Sequence, residues 1–253
     1  MAPCPRDRPS PDVRARTAGL RPHQPHTHPH PLRRTPVNIL LLGATGNVGS
    51  RILAQALDAG HRVTAYVRRP EALTARDGLE IVGGQLDDVE ALTGAARDAE
   101  VVIVAVTGPM KDRTFMQRSL PSILEAVRAA GAGRVVLTSV FGAGDTAQKA
   151  SWFARGIYRT ALRGFLADKE AADRLLIDSG LEHTIVYPVS LKDAPAREEA
   201  AVEPLDAVAT VPGLPTLPFD AAAAALLGVA VDPDAAGQRL LITTRKGWKP
   251  ARD

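Results

Sequence analysis

The chain has 253 residues, 45% of them hydrophobic, which is enough for one α/β domain with a substantial core. No run of residues approaches the roughly 18 apolar positions of a membrane-spanning helix, so we expect no membrane association. A formal net charge of +3 and a pI of about 9.2 suggest a basic protein, but the positive charge is unevenly distributed.

Residues 1–36 differ from the rest of the chain in composition. They hold seven arginines and two aspartates, a balance of +5, so residues 37–253 carry −2 and offer no electrostatic support for nucleic-acid binding. They also hold nine of the twenty prolines and four of the six histidines. Without apolar periodicity we expect this tail to be disordered. It is interpreted as an extension with no folded role, or as the result of an upstream start codon chosen in error.

Cysteine and histidine usage limits the chemistry further. Cys4 is the single cysteine, so an internal disulfide and a cysteine-based zinc site are excluded, and a reducing, cytoplasmic location is expected. The tail histidines alternate with prolines in a pattern that fits no dedicated metal geometry, so we expect no metal site. No apolar core follows the N-terminal charges, which argues against a signal peptide.

The first predicted elements surround a group of three glycines. The run Val37–Leu42 predicts a strand, and an amphipathic pattern from Val48 predicts a helix that ends at Gly60. Between strand and helix, glycines allow a tight turn whose backbone N–H groups approach a dinucleotide pyrophosphate at the helix N-terminus. The predicted cofactor contacts here are Gly43, Thr45, Gly46, Asn47, Val48 and Gly49.

The following residues alternate between strand and helix patterns. A continuous apolar run such as Glu100–Val106 is typical of a strand buried on both faces of a parallel sheet. The predicted elements are strand His61–Val67, short helix Pro70–Ala75, strand Leu79–Val82, a helix capped by Asp87-Asp88 through Ala96, strand Glu100–Val106, helix Met116–Val127 and strand Arg134–Thr138.

The second half of the chain is less regular. A long helix is predicted from about Thr146 to Ser179, with a break considered near Gly156 or Gly164. Strand Leu181–Tyr187 follows, and residues 189–218 show no pattern beyond a short strand at Ala207–Val211. The last predictions are helix Phe219–Val231, strand Gln238–Thr243 and a frayed end from Lys246. The alternation predicts a doubly wound parallel sheet of the Rossmann type with right-handed crossovers, as a single domain over residues 37–245.

Two arginines follow the second predicted strand, where cofactor choice is usually decided. Ligands of open α/β sheets bind at the carboxyl ends of the strands, and an NAD site usually places an acid here for the ribose 2′-OH. Arg68 and Arg69 occupy this position. Arginine pairs with the 2′-phosphate of NADP, so NADP is predicted rather than NAD, the alternative being a surface arginine pair.

Together these motifs resemble the atypical short-chain dehydrogenase/reductases. The resemblance rests on Gly43-x-x-Gly46-x-x-Gly49, Val67-Arg68, the strand Arg134–Thr138 with Ser139, and the segment from Ser179-Gly180-Leu181 to Pro188. It covers about residues 37–243 and is nearest to the NmrA-like and flavin reductase/biliverdin-IXβ reductase groups. The resemblance implies a Rossmann fold that binds NAD(P), but not catalysis, because NmrA-like members include dinucleotide sensors.

The sequence departs from the family at the usual proton donor. Ordinary short-chain enzymes use Tyr-x-x-x-Lys, and the matching segment here has Phe165 and Lys169. Tyr158, two turns earlier on the predicted helix, is a weak candidate as a substitute. Lys169 either holds a ribose hydroxyl of the cofactor or is a solvated helix lysine. Any proton would then come from solvent or substrate, which favours conjugated acceptors over simple ketones.

The resemblance also implies roles for several loop residues. Ser139 matches the serine of the nicotinamide site and would orient an acceptor, unless it merely ends a strand. Gln85 would accept from the adenine amino group with Leu86 on the ring, and Thr107-Gly108 would line the middle of the cofactor, where a larger side chain would block it. Pro188 is also expected at the cofactor, whereas His183 is interpreted as structural.

Three functions remain open from the sequence. The first is an NADPH-dependent reductase of a flavin-like, quinone or other conjugated small molecule, with Ser139 and Lys169 as catalytic candidates. The second is a non-catalytic NADP sensor whose loops 109–115 and 189–218 engage a protein partner. The third, nucleotide-sugar epimerase or dehydratase chemistry, is weakened by Phe165. The oligomeric state stays undetermined.

Overall fold

The computed structural model describes residues 36–251, so the predictions for the N-terminal tail and the last two residues lie outside it. The described part is a large, mostly parallel sheet flanked by helices, which confirms the α/β class. Its strands are β1 (Asn38–Leu42), β2 (Arg62–Val67), β3 (Leu79–Gly83), β4 (Val101–Val104), β5 (Arg134–Thr138), β6 (His183–Pro188), β7 (Ser190–Lys192), β8 (Ala200–Pro204), β9 (Val208–Thr210), β10 (Thr216–Pro218), β11 (Arg239–Thr244) and β12 (Lys249–Pro250). Its α-helices are α1 (Gly49–Asp58), α2 (Val89–Ala96), α3 (Phe115–Ala130), α4 (Trp152–Arg159), α5 (Arg163–Asp178) and α6 (Phe219–Val231).

The order of the strands places a topological switch point between β1 and β4, where the connections from the two strands run in opposite directions along the sheet. The main sheet has the order β3-β2-β1-β4-β5-β6-β11-β8, in which β8 alone runs antiparallel to its neighbour. Leu42, the last residue of β1, pairs with Tyr66 on one side and with Val104 on the other. The three strands therefore end level with one another. Their following loops meet at one edge, which is where ligands bind in open α/β sheets.

Both faces of the sheet are covered by helices. Helix α1 packs against α6, and α2, α3 and α5 pack side by side. Because both faces are covered, the central strands contain almost only apolar residues: all four residues of β4 are buried. Burial of these side chains is the main stabilising contribution to the domain.

Arg134 lies at the amino ends of the parallel strands, on the opposite side of the sheet from the glycines. Its guanidinium is buried at the start of β5 and donates to the carbonyl oxygens of Val229, Ala230 and Asp232 at the end of α6. A cation at a helix C-terminus satisfies carbonyls that have no partner within the helix. Arg134 therefore has a structural role, although it belongs to one of the recognised motifs.

The helical stretch predicted over residues 146–179 is broken, and the break lies between Gly156 and Gly164, the two positions considered for it. A 3-10 helix (Gly144–Lys149) precedes α4, and α4 ends at Arg159, four residues before α5 begins. The break lies at Thr160, whose side chain donates back to the carbonyl of Gly156 at 2.9 Å. A hydroxyl that bonds its own helix competes with helix continuation, so the break lies at a threonine and not at either glycine.

The segment 189–218, in which sequence patterns failed, contains regular structure. It forms β7, β8, β9 and β10. The strand predicted over Ala207–Val211 is present as β9, which is two residues shorter. Strand β7 pairs with β10, and β9 pairs with β12, so the expectation of a wholly frayed C-terminal end is wrong. Strands of two or three residues are too short to show a period of two.

Helix α3 is capped from another helix. Thr114 at its N-terminus makes no capping side-chain bond. Instead the buried carboxylate of Asp168, on α5, accepts from the backbone N–H of Met116 at 2.9 Å and of Gln117 at 3.1 Å. A carboxylate at a helix N-terminus satisfies unpaired donors and interacts favourably with the helix dipole.

Asp168→Ala is expected to lower the free energy of unfolding by about 2 kcal/mol, because the buried N–H of Met116 loses its acceptor. Urea unfolding followed by circular dichroism measures the change. Asp178→Ala is the matched control, since Asp178 is exposed at the end of the same helix. Equal stability of the two variants would contradict the capping role.

Candidate functional site

The loop of residues 43–49, called the glycine loop below, is tightly packed at two of its glycines. Gly43 has a φ of +96°, and a Cβ there would lie 2.5 Å from the carbonyl oxygen of Ala105. A Cβ on Gly49 would overlap the carbonyl group of Gly43, which the start of α1 touches. Gly46 is less constrained, with a Cβ position 3.3 Å from the Gly43 oxygen. Positive φ at one end and close backbone contact at the other require glycine.

The remaining residues of the glycine loop form an open surface. Thr45, Gly46 and Asn47 are exposed, whereas Val48 is half-buried against the core. Helix α1 begins here with no side-chain cap and no acidic residue in its first turn. A helix N-terminus carries a partial positive charge, and an uncapped end without acids suits a phosphate.

Arg68 and Arg69 lie at the same edge of the sheet as the glycine loop. They follow β2, whose residues Arg62 to Tyr66 pair with β1. Both side chains are exposed, and neither forms an ion pair with the described residues. The two guanidinium groups therefore contribute positive charge at this edge of the sheet.

Tyr66 orders the loop that follows β3, a role that sequence reasoning missed. Its hydroxyl donates to the backbone carbonyl of Gln85 at 2.8 Å, and a Cβ on Gly84 would overlap its ring. Burial, followed by the charges of Asp88 and Asp87, raises the pKa of Tyr66. Gln85 is exposed and Leu86 is half-buried, so a polar and an apolar group are presented side by side.

The structure gives a reason for glycine at position 108 that does not depend on a ligand. A Cβ on Gly108 would overlap the ring of Phe115, at the start of α3. A larger side chain would therefore displace Phe115. Thr107, beside it, is exposed at the end of the β4 segment.

A buried polar cluster lies behind these loops: Ser139, Lys169 and Asp173. The Lys169 side chain donates to the carbonyl oxygens of Val106 at 3.3 Å and Thr138 at 3.2 Å, at the ends of two adjacent strands. Lys169 is only 2% exposed, which excludes a solvated helix lysine. Burial lowers its pKa to about 8, with the charges of Asp173 and Asp168 acting in the opposite direction.

Asp173 completes the cluster one helical turn after Lys169. The Ser139 hydroxyl donates to Asp173 Oδ2 at 3.0 Å, and both residues are buried. Burial raises the pKa of Asp173 to about 6, against the opposing effects of its hydrogen bonds and of nearby positive charges. Asp173 was not predicted, because no motif marks it. An acid four residues after a lysine on one helix was the available signal.

The cluster continues towards the surface through Tyr187 on β6. Arg239 donates through Nε to the Tyr187 hydroxyl at 3.1 Å and lies 5.2 Å from the ring centroid. Its other nitrogens donate to the carboxylate of Asp145. Burial and the charge of Asp173 raise the pKa of Tyr187 above its usual range. Tyr187 therefore stays protonated at neutral pH.

Phe165 lies where the sequence motif predicts it, whereas Tyr158 does not. Phe165 is half-buried on α5, one turn before Lys169. Tyr158 lies on α4 and not on the helix of Lys169, so its predicted placement two turns earlier on the same helix is wrong. Its ring covers Gly142, where a Cβ would lie 2.8 Å from the ring. Burial raises the pKa of Tyr158.

Pro188 and His183 lie at opposite ends of β6. The Pro188 carbonyl accepts from the N–H of Phe141 at 2.9 Å and so orders the loop after β5. His183 bonds the backbone carbonyl of Leu181 at 2.8 Å at the far edge of the sheet, in agreement with a structural role.

Residues 36–251 contain neither a metal-binding cluster nor a membrane-spanning helix. No group of three or more His, Cys, Asp or Glu side chains in that range is arranged to hold a metal ion. None of the helices in the same range has the length and apolarity needed to cross a membrane.

Known sequences and structures resemble this chain. A family model described as NAD(P)H-binding matches residues 43–213, about two thirds of the chain. Photosystem II assembly factor Ycf39 of Synechocystis sp. is 31% identical over 115 residues, 43% of this chain and 35% of that protein. Bifunctional pinoresinol-lariciresinol reductase 3 of Thuja plicata is 31% identical over 115 residues, 41% of this chain and 36% of that protein. The chain thus matches only about a third of the length of these two relatives.

A third relative and two solved structures match more of the chain. An uncharacterized sugar epimerase, YhfK of Bacillus subtilis, is 27% identical over 63% of this chain and 74% of that protein. ChuY, an anaerobillin reductase from Escherichia coli O157:H7, superposes with a TM-score of 0.67 at 25% identity, over 85% of this chain and all of that one. A short-chain dehydrogenase/reductase from Veillonella parvula in complex with NADP has a TM-score of 0.68 at 19% identity, over 85% and 98%. At 19% identity, the similarity to the Veillonella parvula protein shows a shared fold and no more.

Proposed function

The chain belongs to the NAD(P)H-binding family of Rossmann-fold proteins, and from that premise we propose that it is an NADPH-dependent reductase of a flavin-like, quinone or other conjugated small molecule. NADPH supplies a hydride when it is bound. The protein supplies binding, orientation and a site from which water is excluded.

The glycine loop fits the pyrophosphate of such a cofactor. A Cβ at position 43 or 49 would occupy space that backbone atoms already fill, so the loop is as compact as a phosphate site requires. The uncapped N-terminus of α1 provides N–H donors and a partial positive charge. In this proposal Thr45, Gly46, Asn47 and Val48 contact the pyrophosphate.

The proposed preference for NADP over NAD rests on the positive charge of Arg68 and Arg69, which follow β2. Arg68 and Arg69 are exposed, and their guanidinium groups are not engaged by described acids. Either side chain can pair with a 2′-phosphate through two parallel hydrogen bonds. Gln85 and Leu86 are proposed to contact the adenine, and Thr107, Gly108 and Pro188 the middle of the cofactor.

The observation that supports catalysis is the buried Ser139–Lys169–Asp173 cluster. Burying titratable groups is costly, and a protein that only binds a dinucleotide does not need them. All three approach the carboxyl edge of the sheet, where Lys169 donates to carbonyls at the ends of the β4 and β5 segments. Reductases among the relatives, ChuY and the Thuja plicata enzymes, support the same reaction class.

Substrate turnover tests this proposal. Purified protein is expected to oxidise NADPH with flavin mononucleotide or a member of a quinone panel at on the order of 1 per second, followed anaerobically by absorbance. Gly49→Ala is the control, because it is expected to lose the cofactor site. Tight NADPH binding without oxidation by any acceptor would contradict the reductase.

That contrary outcome would favour a non-catalytic NADP sensor. Phe165 stands in place of the usual tyrosine, so the common proton donor of the family is missing. Met110 in the loop of residues 109–115 is 61% exposed, which suits contact with a protein partner. The sensor therefore remains the second candidate.

The proposed partner is a small molecule in a reducing, cytoplasmic environment. Residues 37–253 carry −2, so nucleic acid is not favoured as a ligand of the folded part. The single cysteine of the sequence agrees with a reducing compartment.

A further inference from the structure

Asp173 is a buried carboxyl group that has no role in the proposed cofactor site. It lies on α5 at 6% exposure, and its Oδ2 accepts the hydrogen bond of the Ser139 hydroxyl at 3.0 Å. Ser139 directly follows β5, and its N–H donates to the carbonyl of Val186 at 2.9 Å, so its backbone is held in place. The Ser139 hydroxyl is therefore positioned by a strand on one side and by a carboxylate on the other.

Charged and titratable groups lie near Asp173 on three elements. Lys169 lies on its own helix, Tyr187 on β6 and Arg239 on β11. Burial raises the pKa of Asp173 to about 6, more strongly than the Ser139 hydrogen bond, the nearby Tyr187 hydroxyl and the charges of Lys169 and Arg239 lower it. The carboxyl group thus changes its protonation state close to neutral pH.

We propose that Asp173 is a positioning residue that sets the direction of the Ser139 hydroxyl and supplies, through it, the proton that accompanies reduction. This inference rests on the proposed function as a reductase. With Asp173 ionised, the Ser139 hydrogen points to the carboxylate, and only oxygen lone pairs are available to an acceptor. With Asp173 protonated, the carboxyl donates to Ser139 Oγ and the serine hydrogen is free to be donated.

The proton transfer balances with water as the final source of the proton. One atom of a double bond in the acceptor would take the hydride that bound NADPH would supply, and the other atom would take the hydrogen of the Ser139 hydroxyl. The Ser139 O–H bond breaks, and a new one forms with the proton of the Asp173 carboxyl. Asp173 is left as a carboxylate near the positive charge of Lys169, and it takes a proton from water before the next turnover. Ser139 and Asp173 thus take the role of the family's tyrosine, whose position is occupied here by Phe165.

The simplest alternative is that Ser139 and Asp173 only attach α5 to the sheet. A titration of the full chain without cofactor distinguishes the two roles. Infrared difference spectroscopy is expected to show a protonated carboxyl band with a midpoint near pH 6. Asp173→Asn should remove this band, and Asp178→Asn, an exposed control on the same helix, should leave it. Ser139→Ala should raise the midpoint, because it removes a hydrogen bond that stabilises the carboxylate.

The pH dependence of single-turnover NADPH oxidation provides the second readout. Since Asp173 is protonated below its pKa and ionised above it, the wild-type rate should fall as the pH rises through about 6. Asp173→Asn should be slower by about 100-fold at pH 6, with a flat profile and unchanged affinity for NADPH. Asp178→Asn should match the wild type at every pH.

Each outcome is decisive for one proposal or the other. A midpoint near pH 4 for Asp173, or turnover whose pH profile is unchanged in Asp173→Asn, would overturn the role of Asp173 and leave the reductase intact. Absence of turnover with any acceptor would overturn the proposed function itself. Where Asp173→Asn does not fold, Ser139→Ala serves instead, and an unchanged pH profile in that variant would equally overturn the inference.

Discussion

Gly49→Ala is expected to weaken NADPH binding by at least about 100-fold, which corresponds to about 2.7 kcal/mol. A Cβ at this position would overlap the carbonyl group of Gly43, so α1 would have to move away from the turn. The helix N-terminus and the phosphate would then no longer be in contact. Isothermal titration calorimetry with NADPH measures the loss.

Gly94→Ala is the matched control for this substitution. Gly94 lies inside α2, and no atom is within 4 Å of the position that a Cβ would take. Alanine should raise the free energy of unfolding by about 0.5–1 kcal/mol there, because it is the better helix former, and should leave the affinity unchanged. Wild-type affinity in Gly49→Ala would show that the glycine loop does not hold the pyrophosphate.

Arg68→Glu is expected to weaken NADPH binding by about 100-fold while NADH binding stays within a few-fold of the wild type. The exposed guanidinium at the end of β2 is replaced by a carboxylate that repels the 2′-phosphate and accepts from a ribose 2′-OH. Calorimetric titration of one preparation with both cofactors gives the ratio. Arg69→Glu, tested in parallel, identifies which arginine contributes more.

Arg62→Glu controls for the change of two charge units. Arg62 is an exposed arginine on the same strand, but at its amino end, away from the glycine loop. It should change neither affinity. If Arg68→Glu weakened NADPH and NADH equally, Arg68 would not interact with the 2′-phosphate.

Much of the fold is readable from the sequence because its determinants are local. A run of apolar residues that ends at Gly43, and the continuous apolar run of β4, identify buried strands without knowledge of their neighbours. The glycine loop is readable for the same reason, since strand, turn and helix lie within about twenty residues. The prediction failed for residues 189–218, where short strands pair with partners distant in the chain.

The polar interior depends on distances that the sequence does not contain. Asp168 caps a helix that begins 53 residues earlier, and the Ser139 hydroxyl bonds Asp173 across 34 residues. The spacing of Lys169 and Asp173 is equally common on solvated helices, so it does not by itself show that Asp173 is buried. Burial, which raises the pKa of Asp173 to about 6, is likewise a property of the packed helix and not of the residue.

The sequence by itself therefore determined the strand–glycine–helix unit, the α/β class and the arginines at the end of β2, because periodicity, glycine positions and charge act over a few residues. Only the tertiary structure decided where α4 ends and α5 begins, that Lys169 is buried rather than solvated, and that Asp173 lies against Ser139. These features arise when α5 packs on the sheet. Packing brings together polar groups that are far apart in the chain and removes them from water, and that environment sets their chemistry.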